Sequence, residues 1–197
     1  MKNPRPVKIP MLLILLLCSL QAAATSVLPV SLQRMTTKAD IIFHGIAINN
    51  EVKLDQTSGL VATYTTFKVN EVIKGNPGTT HTIKQIGGQL PGSNVRQLIH
   101  GVPRFSTGQE YVIFLPRASS LGFASPIGLS QGKFDIRKLN GETLVSNGRA
   151  LGVQMKTTPP QALPDVPSAA EIGQATDQPG NVNLADFLQT VRGMLKE

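Results

Sequence analysis

Cysteine is almost missing from this chain. Its 197 residues include one, Cys18, and no tryptophan. Cys18 falls in the apolar run Met11–Leu20, inside a segment that reads as a removable leader. The remaining chain has no thiol, which excludes disulfide staples, thiolate metal ligands and a cysteine nucleophile. Aromatic residues are also few, with two Tyr and seven Phe. That is a thin platform for stacking single-stranded nucleic acid bases. The three histidines, His44, His81 and His100, form neither H-x-x-x-H nor H-E-x-x-H, so no zinc signature is present. There is no G-x-S-x-G elbow, no P-loop Lys-Ser/Thr and no G-x-G-x-x-G. No cofactor or metal is expected. No acidic pair carries a glycosidase signature, because the spacing of such pairs is spatial rather than sequential. The acids Asp40, Glu51, Asp55, Glu71, Glu110, Asp135 and Glu142 read as strand-end or turn charges on solvated faces.

Among the features present, the first is an address. Lys2, Arg5 and Lys8 precede the ten-residue apolar core Met11–Leu20, and Ala22-Ala23-Ala24 supplies an A-x-A cleavage signal. This is the pattern of a secretory signal peptide cleaved at Ala22–Ala24, and its core is short of the roughly 20 residues that span a bilayer. Leu17 before Cys18 is too large for a lipobox. An exported protein, periplasmic or extracellular, is expected, with no stable membrane anchor after cleavage. The leader carries three of the 19 cations, which leaves 16 against 12 acids and a mature charge of +4. With no dense basic run, no nucleic-acid partner is expected.

The chain is organised around Val61–Gly75, VATYTTFKVNEVIKG. Thr65, Phe67 and Val69 alternate with Tyr64, Thr66, Lys68 and Asn70, the period-two mark of a half-buried strand. The alternation slips at Asn70–Ile73, as at a β-bulge or barrel corner. Ile41–Asn50 predicts a strand with a bulge or bend at Gly45, and Glu51–Leu60 a hairpin loop. His81–Ile86 predicts a short third strand. Glu110–Leu115, nearly all apolar, predicts a strand buried on both faces. Ile127–Leu139 predicts a strand or strand pair broken at Gly132, and Glu142–Ser146 a return strand after the hairpin signal Asn140-Gly141. Ser31 is placed to cap a short helix carrying Leu32, Met35 and Ala39. Near the other end, five prolines between residues 155 and 181 mark a linker. Leu184, Phe187, Leu188, Val191 and Leu195 then predict an amphipathic helix over 182–197. It either docks on the β-domain or serves a partner on a tether.

Gly87–Gln109 breaks the pattern. It is 23 residues without a clean period, and connections beyond about 12–15 residues are often functional. Its apolar content predicts that it packs on the domain. Arg96, His100, Arg104 and Phe105 within it are the candidate ligand- or partner-binding residues.

The strand order carries a resemblance. Lys38–Gly45, the run Phe67–Gly75 ending in Val-Ile-Lys-Gly, His81–Ile86 and Phe105–Leu115 (FSTGQEYVIFL) follow one another across Thr37–Ile136. This layout resembles the netrin-like domain of tissue inhibitors of metalloproteinases, and more closely a set of uncharacterised exported bacterial proteins. The resemblance implies a mainly β fold, a small OB-like barrel, over 25–154. The animal inhibitors chelate the protease zinc through an N-terminal cysteine, whereas Thr25-Ser26-Val27 offers no thiolate, so those residues do not carry over. The expected function is an exported, non-enzymatic binding module using 87–109, its partner an envelope or extracellular protein or polymer. A secreted protease inhibitor, acting through this loop or the N-terminus, and an envelope-polymer hydrolase remain open.

Overall fold

The computed structural model describes residues 28–148 and 180–196. The expected signal peptide with its expected cleavage at Ala22–Ala24, the expected mature N-terminus Thr25-Ser26-Val27 and nearly all of the Pro-rich segment 155–181 lie outside the described residues. The fold is mainly β, a seven-stranded antiparallel sheet with a C-terminal helix. In chain order the elements are helix α1 (Leu32–Lys38) and strands β1 (Ile41–Leu54), β2 (Val61–Lys74) and β3 (Thr80–Ile86). The two-residue strands β4 (Gly88–Gln89) and β5 (Arg96–Gln97) follow, then β6 (Glu110–Leu115), β7 (Lys133–Leu139) and β8 (Glu142–Ser146). Strand β9 (Val182–Asn183) leads into helix α2 (Leu184–Met194). The main sheet runs β3-β2-β1-β6-β7-β8-β9, and β4-β5 form a separate pair.

The expected slip in β2 is present. Opposite β1, the register shifts between Ile42 and Phe43, between His44 and Gly45, and between Ala47 and Asn49. The first two leave Ile73 and Asn70 of β2 unpaired, and the third leaves Ile48 of β1 unpaired. Gly45 sits at one of these bends because a Cβ there would stand 2.6 Å from the Lys68 carbonyl oxygen. Strand β1 is longer than its composition suggests. Glu51–Leu54 is expected in the hairpin loop, yet its backbone pairs with Val61–Tyr64, and only Asp55–Leu60 turns. The segment before β7 also differs from expectation: Leu129–Gly132 is a 3-10 turn, and the strand begins at Lys133. Asn140 and Gly141 take φ of 51° and 83°, as a type I′ hairpin requires.

Both faces of the sheet are covered. On one side Phe43, Phe67, Phe105 and Tyr111 meet edge to face, with ring centroids 4.9–6.2 Å apart, above Ile83, Ile113 and Leu115. On the other side Ile42, Val112, Phe114, Phe134 and Val145 pack under α1 and α2. Strand β6 feeds both layers, as its unbroken apolar run predicts. The C-terminal helix docks. Phe187 and Val191 are fully buried, and Phe187 lies 4.9 Å from the ring of Phe134. Asn183 caps the helix by accepting from the Ala185 N–H, and Ser31 caps α1 by accepting from Arg34 N–H. An exposed Arg192–Glu71 ion pair adds little to a contact made by apolar area. Phe187→Ala should lower unfolding free energy by about 3–5 kcal/mol in urea titration, whereas Leu139→Ala, at a site 56% exposed, should change it by less than about 0.5.

Candidate functional site

Strands β1, β2 and β3 outrun the aromatic layer, and the chemistry of their inner face changes there. Two cross-strand rows form the extension. Asn50, Thr65 and Ile83 stand side by side in the first; Val52, Thr63 and Gln85 in the second. The Ile48 bulge decides this. Phe43 and Ala47 face inward at odd positions, and one unpaired residue flips the parity so that Asn50 and Val52 face inward at even ones. The result is a shelf with polar side chains on an otherwise apolar face.

The chain from Gly87 to Phe105 folds over this shelf. At Gly87, φ is 97° and a Cβ would come within 2.6 Å of the Gln97 carbonyl oxygen, so the turn needs glycine. The short β4-β5 ladder pairs Gln89 with Arg96 and Gly88 with Gln97. Between shelf and roof lies a cavity of about 470 Å³. Leu98, Ile99, Val102 and Pro103 give the roof an apolar lining.

Most shelf donors are already committed. Thr63 Oγ1 donates to the Gly87 carbonyl at 2.6 Å, and Thr65 Oγ1 to Asn50 Oδ1 at 2.7 Å. Asn50 Nδ2 donates to the Phe105 carbonyl at 2.8 Å. One donor is left over. Gln85 is 3% exposed, lines the cavity, and its Nε2 has no hydrogen-bond partner. Arg96 and Arg104 also line the cavity, are exposed, and make no side-chain hydrogen bond or ion pair among the described residues. No Asp or Glu lines it.

The four candidate residues therefore separate. Arg96 and Arg104 are brought to one cavity. His100 is exposed on the roof and outside the lining. Phe105 is a core residue, 6% exposed, stacked edge-on against Phe67 and Tyr111. It also lines the cavity, so it shapes the cleft and is no surface contact. Gln85, Thr63 and Asn50 were not among the sequence candidates. Strand alternation marks Gln85 as sharing a face with Ile83, but only the Ile48 bulge puts Asn50 beside them.

A second cluster braces the other face of the same extension. Asp55, expected on a solvated turn, is 6% exposed. Its carboxylate lies 2.6 Å from Lys84 Nζ, accepts the Tyr64 hydroxyl at 2.6 Å, and accepts Ser58 Oγ and N–H. The Lys84 ammonium, followed by Tyr64 and Ser58, holds the Asp55 carboxyl well below the usual range. The hydrogen bond to the Asp55 carboxylate pushes the Tyr64 phenol up to about 12. Lys84 Nζ also donates to the Leu121 carbonyl and sits 4.3 Å from the Phe123 ring centroid, so the segment around Phe123 covers the β3 edge. His44 hydrogen-bonds across the β1–β6 pair to Glu110 at 2.9 Å. His81 is half-buried with its ring 5.5 Å from that of Phe43, and burial pushes its pKa down against the opposing pull of the Pro77 carbonyl.

Among the described residues no three His, Cys, Asp or Glu side chains group as a metal site, and no helix is long and apolar enough to cross a membrane. No protein-family model matches the chain, and no curated protein matches it.

Acid should weaken the fold in two stages. A group whose folded pKa is depressed leaves the folded state holding fewer protons than the unfolded chain, so stability falls as pH drops below the unfolded value. For His81 that decline starts near 6.5, and for Asp55 near 3.8. Urea midpoints measured against pH should show both limbs, His81→Phe removing the upper one and Asp55→Asn the lower.

Proposed function

We propose that this chain is an exported binding module, non-enzymatic, that recognises its partner in the cleft between the β1–β3 shelf and residues 87–105. The carrying observation is a cavity of about 470 Å³ whose mouth holds two arginines without a counter-charge among the described residues. That volume falls in the usual range for ligand sites, which are largely apolar with a few convergent polar groups. The expected partner is an envelope or extracellular protein or polymer. Export rests on the Lys2–Ala24 leader pattern.

We also read the sheet as an OB-type barrel related to the netrin-like domain. The support is the 14-residue strand β1, shared between β2 and β6 and bent at three register shifts. Binding through one face and its loops is how such barrels commonly work. A hydrolase reading needs carboxylates beside His100, whereas the cleft is lined by apolar side chains, amides and arginines and by no Asp or Glu. Binding therefore takes precedence over catalysis. For inhibition of a protease, the cleft and its roof are the part that would engage the enzyme, in place of the chelating cysteine that this chain lacks.

The test blocks the cleft without changing its charge. Mature protein, residues 25–197, is immobilised and exposed to the envelope and culture-medium fractions of its own cells, beside Val102→Trp and His100→Ala. Val102 lines the cavity and His100 does not. A partner retained by the parent and by His100→Ala, and lost by Val102→Trp with unchanged Tm, is the expected result. Equal retention by all three moves the site off the cleft, and retention by none overturns the binding reading.

A further inference from the structure

Building on that reading of the cleft, we infer that its ligand is an apolar carboxylate that also carries an amide carbonyl: the free C-terminal end of a short apolar peptide, or an N-acylated apolar amino acid. Three features, each fixed by a different part of the fold, select this chemistry. Apolar side chains from shelf and roof, Val52, Leu98, Ile99 and Val102 among them, ask for an apolar body. Arg96 and Arg104, both on the roof and both exposed, ask for an anion at the mouth. The buried Gln85 Nε2, unpartnered, asks for a neutral acceptor inside.

The anion belongs at the mouth and the neutral acceptor within. A charge taken into the interior needs several donors to offset lost hydration. The shelf has already bound its hydroxyls and the Asn50 amide to carbonyls and to each other, and only the Gln85 amide remains. That neutral amide group suits a carbonyl oxygen. At the mouth, water completes the solvation that one or two guanidinium forks begin. A planar fork matches a carboxylate's two oxygens.

Leaving a buried donor unpaired costs stability. Gln85 carries that cost in the free protein, and a carbonyl acceptor relieves it. A wholly structural glutamine would be expected to reach a partner inside the fold, since buried polar side chains usually do.

The experiment titrates the mature chain, residues 25–197, by calorimetry with N-acetyl-Leu-Leu as the free acid, with its C-terminal amide, and with decanoate. The acid should bind at least about tenfold tighter than the amide, a preference that charge-assisted hydrogen bonds can supply. Arg96→Gln with Arg104→Gln should abolish that preference while leaving amide binding in place. Gln85→Leu should weaken both dipeptides, leave decanoate unchanged, and not lower Tm. A lowered Tm with all affinities intact would make Gln85 structural and overturn its role. Equal binding of acid and amide overturns the anionic assignment but keeps the cleft as a binding site. Decanoate binding as tightly as the dipeptide acid overturns the carbonyl assignment. Failure of all three probes, with a partner still lost on Val102→Trp, overturns the ligand class alone; failure with no such partner removes the binding reading too. The same Leu-Leu end placed at the C-terminus of a folded carrier protein separates the sources. Binding to both forms marks a protein tail as a ligand, and binding to the free dipeptide alone marks a small molecule.

Discussion

The β1–β2 ladder is the constraint from which the rest follows. Two 14-residue strands paired without interruption would form a twisted ribbon with no sharp bend. Three register shifts bend them instead. The shifts near Gly45 and at Ile73 swing the ends of the pair, so that Ile42 and Ile73 face the helices while Phe43 and Phe67 face the aromatic layer. The shift at Ile48 reverses which residues of β1 look inward. A single unpaired residue thus converts the hydrophobic face into the polar shelf. Remove the bulge, and Asn49 and Glu51 would occupy the positions that Asn50 and Val52 now hold.

Burial on both faces makes the bent ladder stable without disulfides. Strand β6 sits against β1 and supplies alternate side chains to each layer: Tyr111, Ile113 and Leu115 to one, Val112 and Phe114 to the other. The aromatic layer is closed from outside the strands by Phe105, which the long connection delivers. The helical layer is closed by Phe187, Leu188 and Val191, delivered by the C-terminal segment. Both distant pieces of chain are therefore held by the same force, apolar area removed from water. The loop at 87–105 is anchored at its far end by a core residue and at its near end by the Gly87 turn. It is a fixed roof with exposed arginines between the anchors.

Local pattern made much of this legible. Alternation placed β2 and β3, an apolar run placed β6, the Asn140-Gly141 pair placed its hairpin, and helical spacing placed α2. What failed to show had its cause far away in sequence. Glu51–Leu54 reads as part of a loop, and only pairing with Val61–Tyr64 makes it a strand. Phe105 looked like a loop aromatic free to touch a partner, but Phe67 and Tyr111, from two other strands, claim its ring. Asp55 looked like a turn charge until Lys84, 29 positions away, is brought to it. Of the four candidate residues, composition could mark Arg96 and Arg104 as chemically able, but not say that one cavity holds both and omits His100.

The cleft is braced from behind, and this bears on how well it can bind. Lys84 and Gln85 are neighbours on β3 that point to opposite faces. Lys84 is fixed by Asp55 and by the Leu121 carbonyl, and it packs over Phe123. Fixing Lys84 fixes the backbone from which Gln85 projects into the cavity. On β2, Tyr64 and Thr65 repeat the relation: Tyr64 is tied to Asp55 behind, Thr65 to Asn50 in front. Both cross-strand rows of the shelf thus stand on a back surface held by charge-assisted bonds, which are among the stronger ones available. A site whose interior donors are set before any ligand arrives loses less side-chain freedom on binding. The unpaired Gln85 amide is therefore a fixed feature of the cavity floor rather than a side chain still seeking a partner. The freedom left to the site lies in the exposed arginines of its roof.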